Sequence, residues 1–569
     1  MSPIEALLER MTLPEKLGQL TMSAADQAVT GPVVAQGLAQ DVRSGAVGSV
    51  LNLHGSERVR TMQRLAIEES RLRIPLFFGL DVIHGYRTLF PVPIGEAACF
   101  ERELWEATAR EAAREAARDG IDMTFAPMLD VSRDPRWGRT VEGPGEDPVV
   151  ARALAAAKVR GFQGSAPSAP DALAAVAKHF CAYGPVQAGR DYSSVDVSER
   201  TVLEVHLPAF AAAVDSGVAA VMPAFTDLAG IPMTAHQPML RGWLRDRLGF
   251  QGVLISDYNA IGELMAHGVA ADSAAAAALA LQAGVDIDMM AGVYRQGLPQ
   301  ALERGIVSMQ QIDEAVRRVL MLKERLGLFE DPYRRCQAPE AAELRLQRRA
   351  LARRVAARSV VLLSHRGNVL PLRPGLRNVA LIGPLADAGS EMRGSWAAAA
   401  KERDMVSLLS GLRGALGERA ISYRGGVSIA GSDASEIAPA VQLCAQAELV
   451  ILCLGEAAAM SGEAASRAEI DLPGCQRELA LAVLEIASDL DKPVVAVLFS
   501  GRPLVLPWLF ERADAVLAAW FPGSEAGHAV TDVLTGKISP SGRTPISWPR
   551  SVGQIPIFHA QRPSGRPYA

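Results

Sequence analysis

The sequence predicts an α/β protein in two parts: a (β/α)8-type, TIM-like barrel followed by an α/β sandwich domain. Three observations carry this expectation. Over the first ~330 residues, short apolar runs alternate with longer helix-like stretches. A polar, Pro-containing segment then interrupts the pattern. Beyond it, four near-continuous apolar runs begin a second alternation.

The chain opens with Ile4, Leu7, Leu8 and Met11 at helical spacing, which predicts an amphipathic helix. Thr12, with Pro14 and Glu15 behind it, reads as the capping box of the next helix. Seven strand candidates follow: GSVLNL (48–53), IPLFFGL (74–80), IDMTFAPML (121–129), AAVAKHF (174–180), AAVMPAF (219–225), GVLISD (252–257) and VDIDMM (285–290). Each is bounded by Gly, Pro or charge, and each leads into sequence rich in Ala, Glu and Arg. Parallel neighbours need crossover helices, so this alternation implies a parallel sheet. Seven candidates suit a closed barrel with one strand missing or irregular. The segment EDPYRRCQAPEAAELRLQ supplies the linker, giving 1–333 as barrel, 334–348 as linker and 349–569 as second domain. In that domain VALIGPLAD (379–387), LVILCLGEA (449–457), PVVAVLFSG (493–501) and AVLAAWFPG (515–523) read as strands buried on both faces.

Composition limits the function classes. At 569 residues, 49% hydrophobic and 21% charged, the chain has an ordinary globular profile. A net charge of -5 with no Lys/Arg-rich run gives no reason to expect nucleic acid. The six cysteines form no CxxC pair or zinc-finger spacing and read as reduced, mostly buried thiols. Glu5, Glu9 and Arg10 break any signal-peptide core, and no apolar run reaches the ~18 residues of a membrane span. The chain as given therefore reads as cytoplasmic, or as periplasmic where a signal peptide has been removed. Association as a homodimer is left open.

Ionisable residues gather at strand ends. Asp81 follows the 74–80 run, and Asp130 and then Arg139 follow the 121–129 run. Lys178 and His179 close the 174–180 run, and Asp257 closes the 252–257 run. A single strand-end Asp is often only a helix cap. Four strand ends converging on a barrel's C-terminal rim suit a ligand instead. Carboxylates accept hydroxyl hydrogens, while Lys, Arg and His donate, which fits a neutral polyhydroxylated molecule. The histidines are scattered without HExxH, so no catalytic metal is expected, and no phosphate-cradling Gly-rich loop is present. No cofactor is expected.

The motifs DVIHGYRTLFPVPIG, APMLDVSRDPRWGR, EGPGEDP, AKHFCAYG and ISDYNAI closely resemble the β-glucosidases of glycoside hydrolase family 3, above all the bacterial periplasmic type. IGPLAD, GSWAAA, LGEAAAMSGEAASR, SGRPL, WFPGSEAG and SVGQIPI extend the resemblance through the second domain. It implies an exo-β-glycosidase that acts with retention on terminal β-D-glucosyl residues of a small oligosaccharide or β-glucoside. It implies Asp257 as nucleophile and Glu463 as general acid/base, with Asp81, Arg139, Lys178 and His179 gripping the sugar. Tyr258 and Trp396 are weaker binding candidates. Glu456 competes locally with Glu463, which is favoured because its loop projects beyond the strand ending near Gly455. For Arg139 the alternative is a structural ion pair with Asp134 or Glu142. Lys178 and His179 are adjacent on a strand, so one of them is structural unless the strand ends there.

Three departures narrow the expectation. Phe225, Thr226 and Ala229 stand where relatives carry more polar residues, which bears on sugar selectivity. KHFCAYG replaces the KHFPGHG-type loop of N-acetylglucosamine-cleaving relatives, which argues against that activity. The sequence ends at GRPYA without the relatives' PFGxGLSYT-like strand or fibronectin-type sandwich, so a missing edge strand is expected in the second sheet. A β-xylosidase or other exo-β-glycosidase, and a non-catalytic sugar-binding relative, are the competing readings.

Overall fold

The computed structural model describes residues 2–25 and 37–566. Eight strands form one parallel sheet: β1 (Thr21–Ala24), β2 (Ser49–Leu51), β3 (Phe77–Leu80), β4 (Met123–Thr124), β5 (Ala174–Phe180), β6 (Ala220–Pro223), β7 (Val253–Leu254) and β8 (Asp288–Met289). They run in the order β8-β1-β2-β3-β4-β5-β6-β7. A parallel bridge between Ile255 and Ile287 joins β7 to β8 and closes the sheet. The expected barrel is therefore present, with eight strands where seven were expected. The additional one, β1, carries Thr21 and Ser23 and comes almost directly off the helix Leu13–Gln19, so no apolar run announces it.

Local chemistry explains the elements around it. In the N-terminal helix Pro3–Arg10, Ile4 and Leu8 turn inward. The Thr12 N–H donates to Glu15 Oε2 at 2.9 Å, as the capping-box reading expects. The crossover helix Arg102–Arg118 buries Leu104, Trp105, Ala109, Ala112, Ala113 and Ala116. Its small alanines let it lie close against the next helix, Pro148–Gln163, where a Cβ on Gly161 would come within 2.6 Å of Ala109 Cβ. Each larger aliphatic chain buried here contributes about 1.5–3 kcal/mol.

The second domain has six strands: β9 (Val361–His365), β10 (Val379–Ile382), β11 (Ile421–Arg424), β12 (Leu449–Gly455), β13 (Val494–Phe499) and β14 (Ala515–Ala518). Their order is β9-β14-β13-β12-β10-β11, and only β9 is antiparallel to its neighbour. Separate apolar clusters cover the two faces of the sheet, which makes the expected sandwich. Four strands were expected. The two that the sequence hides, β9 and β11, are the sheet's edges and only partly buried, so neither shows a continuous apolar run.

The two domains pack through shared apolar surface. Val92, Ile94, Ala98 and Val141 of the barrel cluster with Val361, Ala518, Trp520, Phe521 and Ile546. The helix Ala342–Ser359 starts inside the segment expected as linker, and its Ala352 joins the barrel core. Arg335 and Arg348, also from that segment, are buried and paired with Asp122 at 2.9 Å and Glu115 at 3.1 Å. Among the described residues, no helix is long and apolar enough to cross a membrane.

Candidate active site

A cavity of about 1100 Å³ opens at the C-terminal rim of the barrel, where the second domain meets it. Asp81, Arg139, Lys178, Asp257 and Tyr258 line it from the barrel, and Trp396 and Glu463 line it from the second domain.

Asp257 is placed by the strand end that carries it. The Ser256 N–H donates to Ile287 O, the Met289 N–H to Ser256 Oγ and the Asn259 N–H to Met289 O, all at 2.9 Å. The peptide on either side of Asp257 is thus hooked to β8. Its Oδ1 accepts the Tyr258 N–H at 2.8 Å, whereas its buried Oδ2 has no hydrogen-bond partner. Burial pushes the Asp257 carboxyl up to about 7; the charges of Arg139 and Lys178 pull it back and that of Glu463 pushes further up.

Arg139 lies between the acids. It is buried, and its guanidinium donates to Glu142 twice, at 2.9 and 3.1 Å. The ion pair with Glu142 is therefore real, while Asp134 is taken by Arg136 instead. A third donor reaches His179 Nε2 at 2.9 Å, and Nη1 lies 3.9 Å from Glu463 Oε2. Arginine can only donate, so His179 Nε2 must accept, and its proton sits on Nδ1, 2.9 Å from Asp130. Burial, then the charges of Arg139 and Lys178, hold the imidazole pKa well below its usual value. His179 is neutral, and its 3.6 Å approach to Asp257 is not an ion pair.

Lys178 is buried, donates to Asp81 at 3.0 Å and lies 5.1 Å from the centre of the Trp396 ring. The register between β5 and β6 shifts between Lys178 and Phe180. A bulge of this kind re-aims side chains, so neighbouring residues both serve the rim. Lys178 reaches the cavity, while His179 stands behind it and buttresses Arg139.

Glu463 enters from the loop after β12. Its carboxylate accepts the Tyr192 hydroxyl at 2.7 Å and remains 30% exposed. Glu456 is wholly buried, pairing with Arg467 at 2.5 Å and Arg502 at 3.1 Å, and does not line the cavity. Arg502 also donates to Pro135 O and Arg136 O on the barrel side, at 3.0 and 2.9 Å, and to Ala465 O on the acid loop, at 2.9 Å.

Sequence reasoning missed Asp191 and Tyr192, which lie in a polar loop after β5 with no periodicity to flag them. The signal that could have found them is positional, since loops after barrel strands build the rim. Asp130 was noted only as a strand end; it accepts the His179 N–H at 3.0 Å, and burial holds it up at about 7. Glu263, also unassigned, lines the cavity, as does Phe225, which the sequence marks as bearing on sugar selectivity.

Three buried polar atoms on cavity-lining residues lack hydrogen-bond partners: Asp257 Oδ2, Arg139 Nη1 and Trp396 Nε1. Leaving such a group unpaired costs about 1–3 kcal/mol. A ligand rich in hydroxyls would recover that cost, and an apolar one would not.

The comparisons with known proteins agree with this chemistry. The family described as the glycosyl hydrolase family 3 N terminal domain matches residues 12–322, and its C-terminal domain matches 360–569. The chain is 41% identical to a periplasmic beta-glucosidase of Salmonella typhimurium, over 99% of this chain and 76% of that one. It is 33% identical to a beta-xylosidase of Formosa agariphila, over 89% and 73% of the two chains. The solved beta-glucosidase of Listeria innocua in complex with isofagomine superposes with a TM-score of 0.94 at 38% identity, covering all of this chain and 79% of that one.

Proposed function

The chain belongs to glycosyl hydrolase family 3 and is a glycoside hydrolase, and from that premise we propose the roles of its residues. The enzyme removes terminal β-D-glucosyl residues with retention, through a glycosyl-enzyme on Asp257. One observation carries this reading: a buried carboxylate oxygen with no partner, on a rigid strand end, lines a cavity that a second carboxyl enters from another domain.

The division of labour follows from the surroundings. In the first step Asp257 Oδ2 bonds to C1 as the glycosidic C1–O bond breaks, and Glu463 gives its proton to the departing oxygen. In the second, Glu463 takes a proton from water, whose oxygen bonds to C1 and frees Asp257. The Tyr258 N–H fixes one oxygen of Asp257 and leaves the other to attack. Arg139 and Lys178 favour the anion this requires. Asp81 and Lys178 offer a paired acceptor and donor to neighbouring sugar hydroxyls, and Arg139 Nη1 offers a further donor. His179 acts through Arg139, and Tyr258 walls the cavity.

β-Xylosidase activity is the second reading. It is favoured by the Formosa relative and by the apolar wall of Met222, Phe225 and Met289 in the cavity. The name of the Salmonella relative supports a periplasmic setting. The test is a panel of aryl β-glycosides with Asp257→Ala alongside. Chromophore release from the glucoside, its near-complete loss in the variant and partial recovery with azide are expected. Full activity in Asp257→Ala would end the assignment.

A further inference from the structure

The acid/base carboxyl sits on a loop of the second domain, yet apart from Arg502, which donates to Ala465 O, the contacts that hold this loop beside Glu463 come from the barrel. Two barrel segments grip residues 460–467. The first works backbone to backbone. The Gly462 N–H donates to Gly138 O at 2.9 Å and the Arg467 N–H to Arg136 O at 3.0 Å. A side chain at Gly138 would put its Cβ 2.3 Å from Gly462 O, so only glycine permits this approach.

The second segment is Asp191–Tyr192. Asp191 Oδ2 accepts the N–H of Ala464, the residue after Glu463, at 2.7 Å. The Asp191 N–H in turn donates to Ser466 Oγ at 2.9 Å. Ala464 has φ of 56°, a left-handed conformation that an alanine holds only when its surroundings impose it. Asp191 Oδ1 accepts from Tyr183 Oη at 2.6 Å and Trp137 Nε1 at 2.9 Å, and both of those side chains are fully buried. Asp191 is thus a peg between the barrel core and the peptide that carries Glu463. The next residue, Tyr192, donates its hydroxyl to Glu463 Oε1 at 2.7 Å.

We propose that Asp191 and Tyr192 are positioning residues for the proton transfer to the leaving group: Asp191 sets the loop and Tyr192 sets the carboxyl. This rests on Glu463 being the general acid. The consequence is specific to substrates that need a proton. A dinitrophenolate leaves without one, whereas an alkoxide does not. Loss of the peg therefore costs little on the first and much on the second, since general acid catalysis is worth about 10²–10⁴-fold.

The experiment compares kcat/KM for 2,4-dinitrophenyl β-glucoside and methyl β-glucoside in the full-length wild type, Asp191→Asn and Tyr192→Phe. Asparagine keeps the shape of aspartate but sets an NH2 group against donors on one side. Phenylalanine removes only a hydroxyl from an exposed ring. The preference for the dinitrophenyl substrate is expected to widen by about tenfold or more in both variants, with unfolding midpoints near that of the wild type. An equal loss on both substrates is what a merely structural role gives, and it would overturn the proposal. So would no loss on either. Failure of the underlying reading is seen separately, as a Glu463→Gln variant that keeps the wild-type rate on methyl β-glucoside.

Discussion

Replacing Asp257 with asparagine is expected to stabilise the folded protein while removing its activity, with a pH dependence that identifies the cause. The folded carboxyl titrates near 7 because it is buried, against an ordinary value of 3.8. Below 3.8 it is protonated in both the folded and the unfolded chain, and the substitution changes little. Between 3.8 and about 7 the unfolded chain releases the proton and the folded chain keeps it, so wild-type stability falls as pH rises. Above 7 both forms are ionised and the gap stays constant. A rise of about three pH units at about 1.4 kcal/mol each gives about 4 kcal/mol. The asparagine side chain cannot ionise, yet its oxygen still accepts the Tyr258 N–H. The advantage of Asp257→Asn in urea unfolding, followed by circular dichroism, is therefore expected to be about 1.5 kcal/mol at pH 5 and to level off near 4 kcal/mol above pH 7. An advantage independent of pH, or a wild type more stable than the variant at pH 8, would refute the claim that an ionised, buried Asp257 strains the fold.

Two further outcomes follow from the same geometry. Since attack needs the Asp257 anion and burial holds its carboxyl near 7, kcat/KM on an aryl β-glucoside should fall about tenfold for each pH unit below that point; a profile flat down to pH 5 would contradict it. Arg502→Ala strips a buried cation from Glu456 and unpairs carbonyls on both sides of the domain seam, so the unfolding midpoint in urea should drop by the equivalent of about 3–5 kcal/mol; an unchanged midpoint would show that the seam does not depend on that guanidinium.

The barrel half of the site was legible because a buried parallel strand has one place for charge. Asp81, Lys178 and Asp257 each end an apolar run, and a closed barrel gathers such ends on one rim. The structure draws them into one cavity. What stayed hidden is what lacks a run. β1 is four residues long and carries Thr and Ser, and β9 and β11 are half-exposed edges. Arg139 could be read as an ion-pair partner or as a sugar ligand, and spacing offered no way to choose. The structure shows the ion pair and leaves room for the other role, because a guanidinium has enough donors to hold Glu142 and still leave Nη1 unpaired on a cavity-lining residue. Glu463 is different in kind. Nothing local separates it from any loop carboxylate; its meaning depends on a contact with Tyr192, 271 positions away in the chain. Only the resemblance of SGEAASR to a known motif could pick it out.

That distance has a chemical use. Two carboxyls that must hold different protonation states at one pH need different surroundings. Asp257 takes the interior of a rigid barrel, where burial alone favours its neutral form and the charges of Arg139 and Lys178 pull it back toward the anion. Glu463 sits on a loop from another domain and stays partly exposed. Arg139 lies against both, and its charge favours the anion at Asp257 even while it holds Glu142. Among the described residues that line the cavity, the carboxyl groups of Asp81, Asp257, Glu263 and Glu463 face the fixed cations of Arg139 and Lys178. The unpaired Asp257 Oδ2, Arg139 Nη1 and Trp396 Nε1 suit a neutral, hydroxyl-rich ligand, whose hydroxyls both donate and accept.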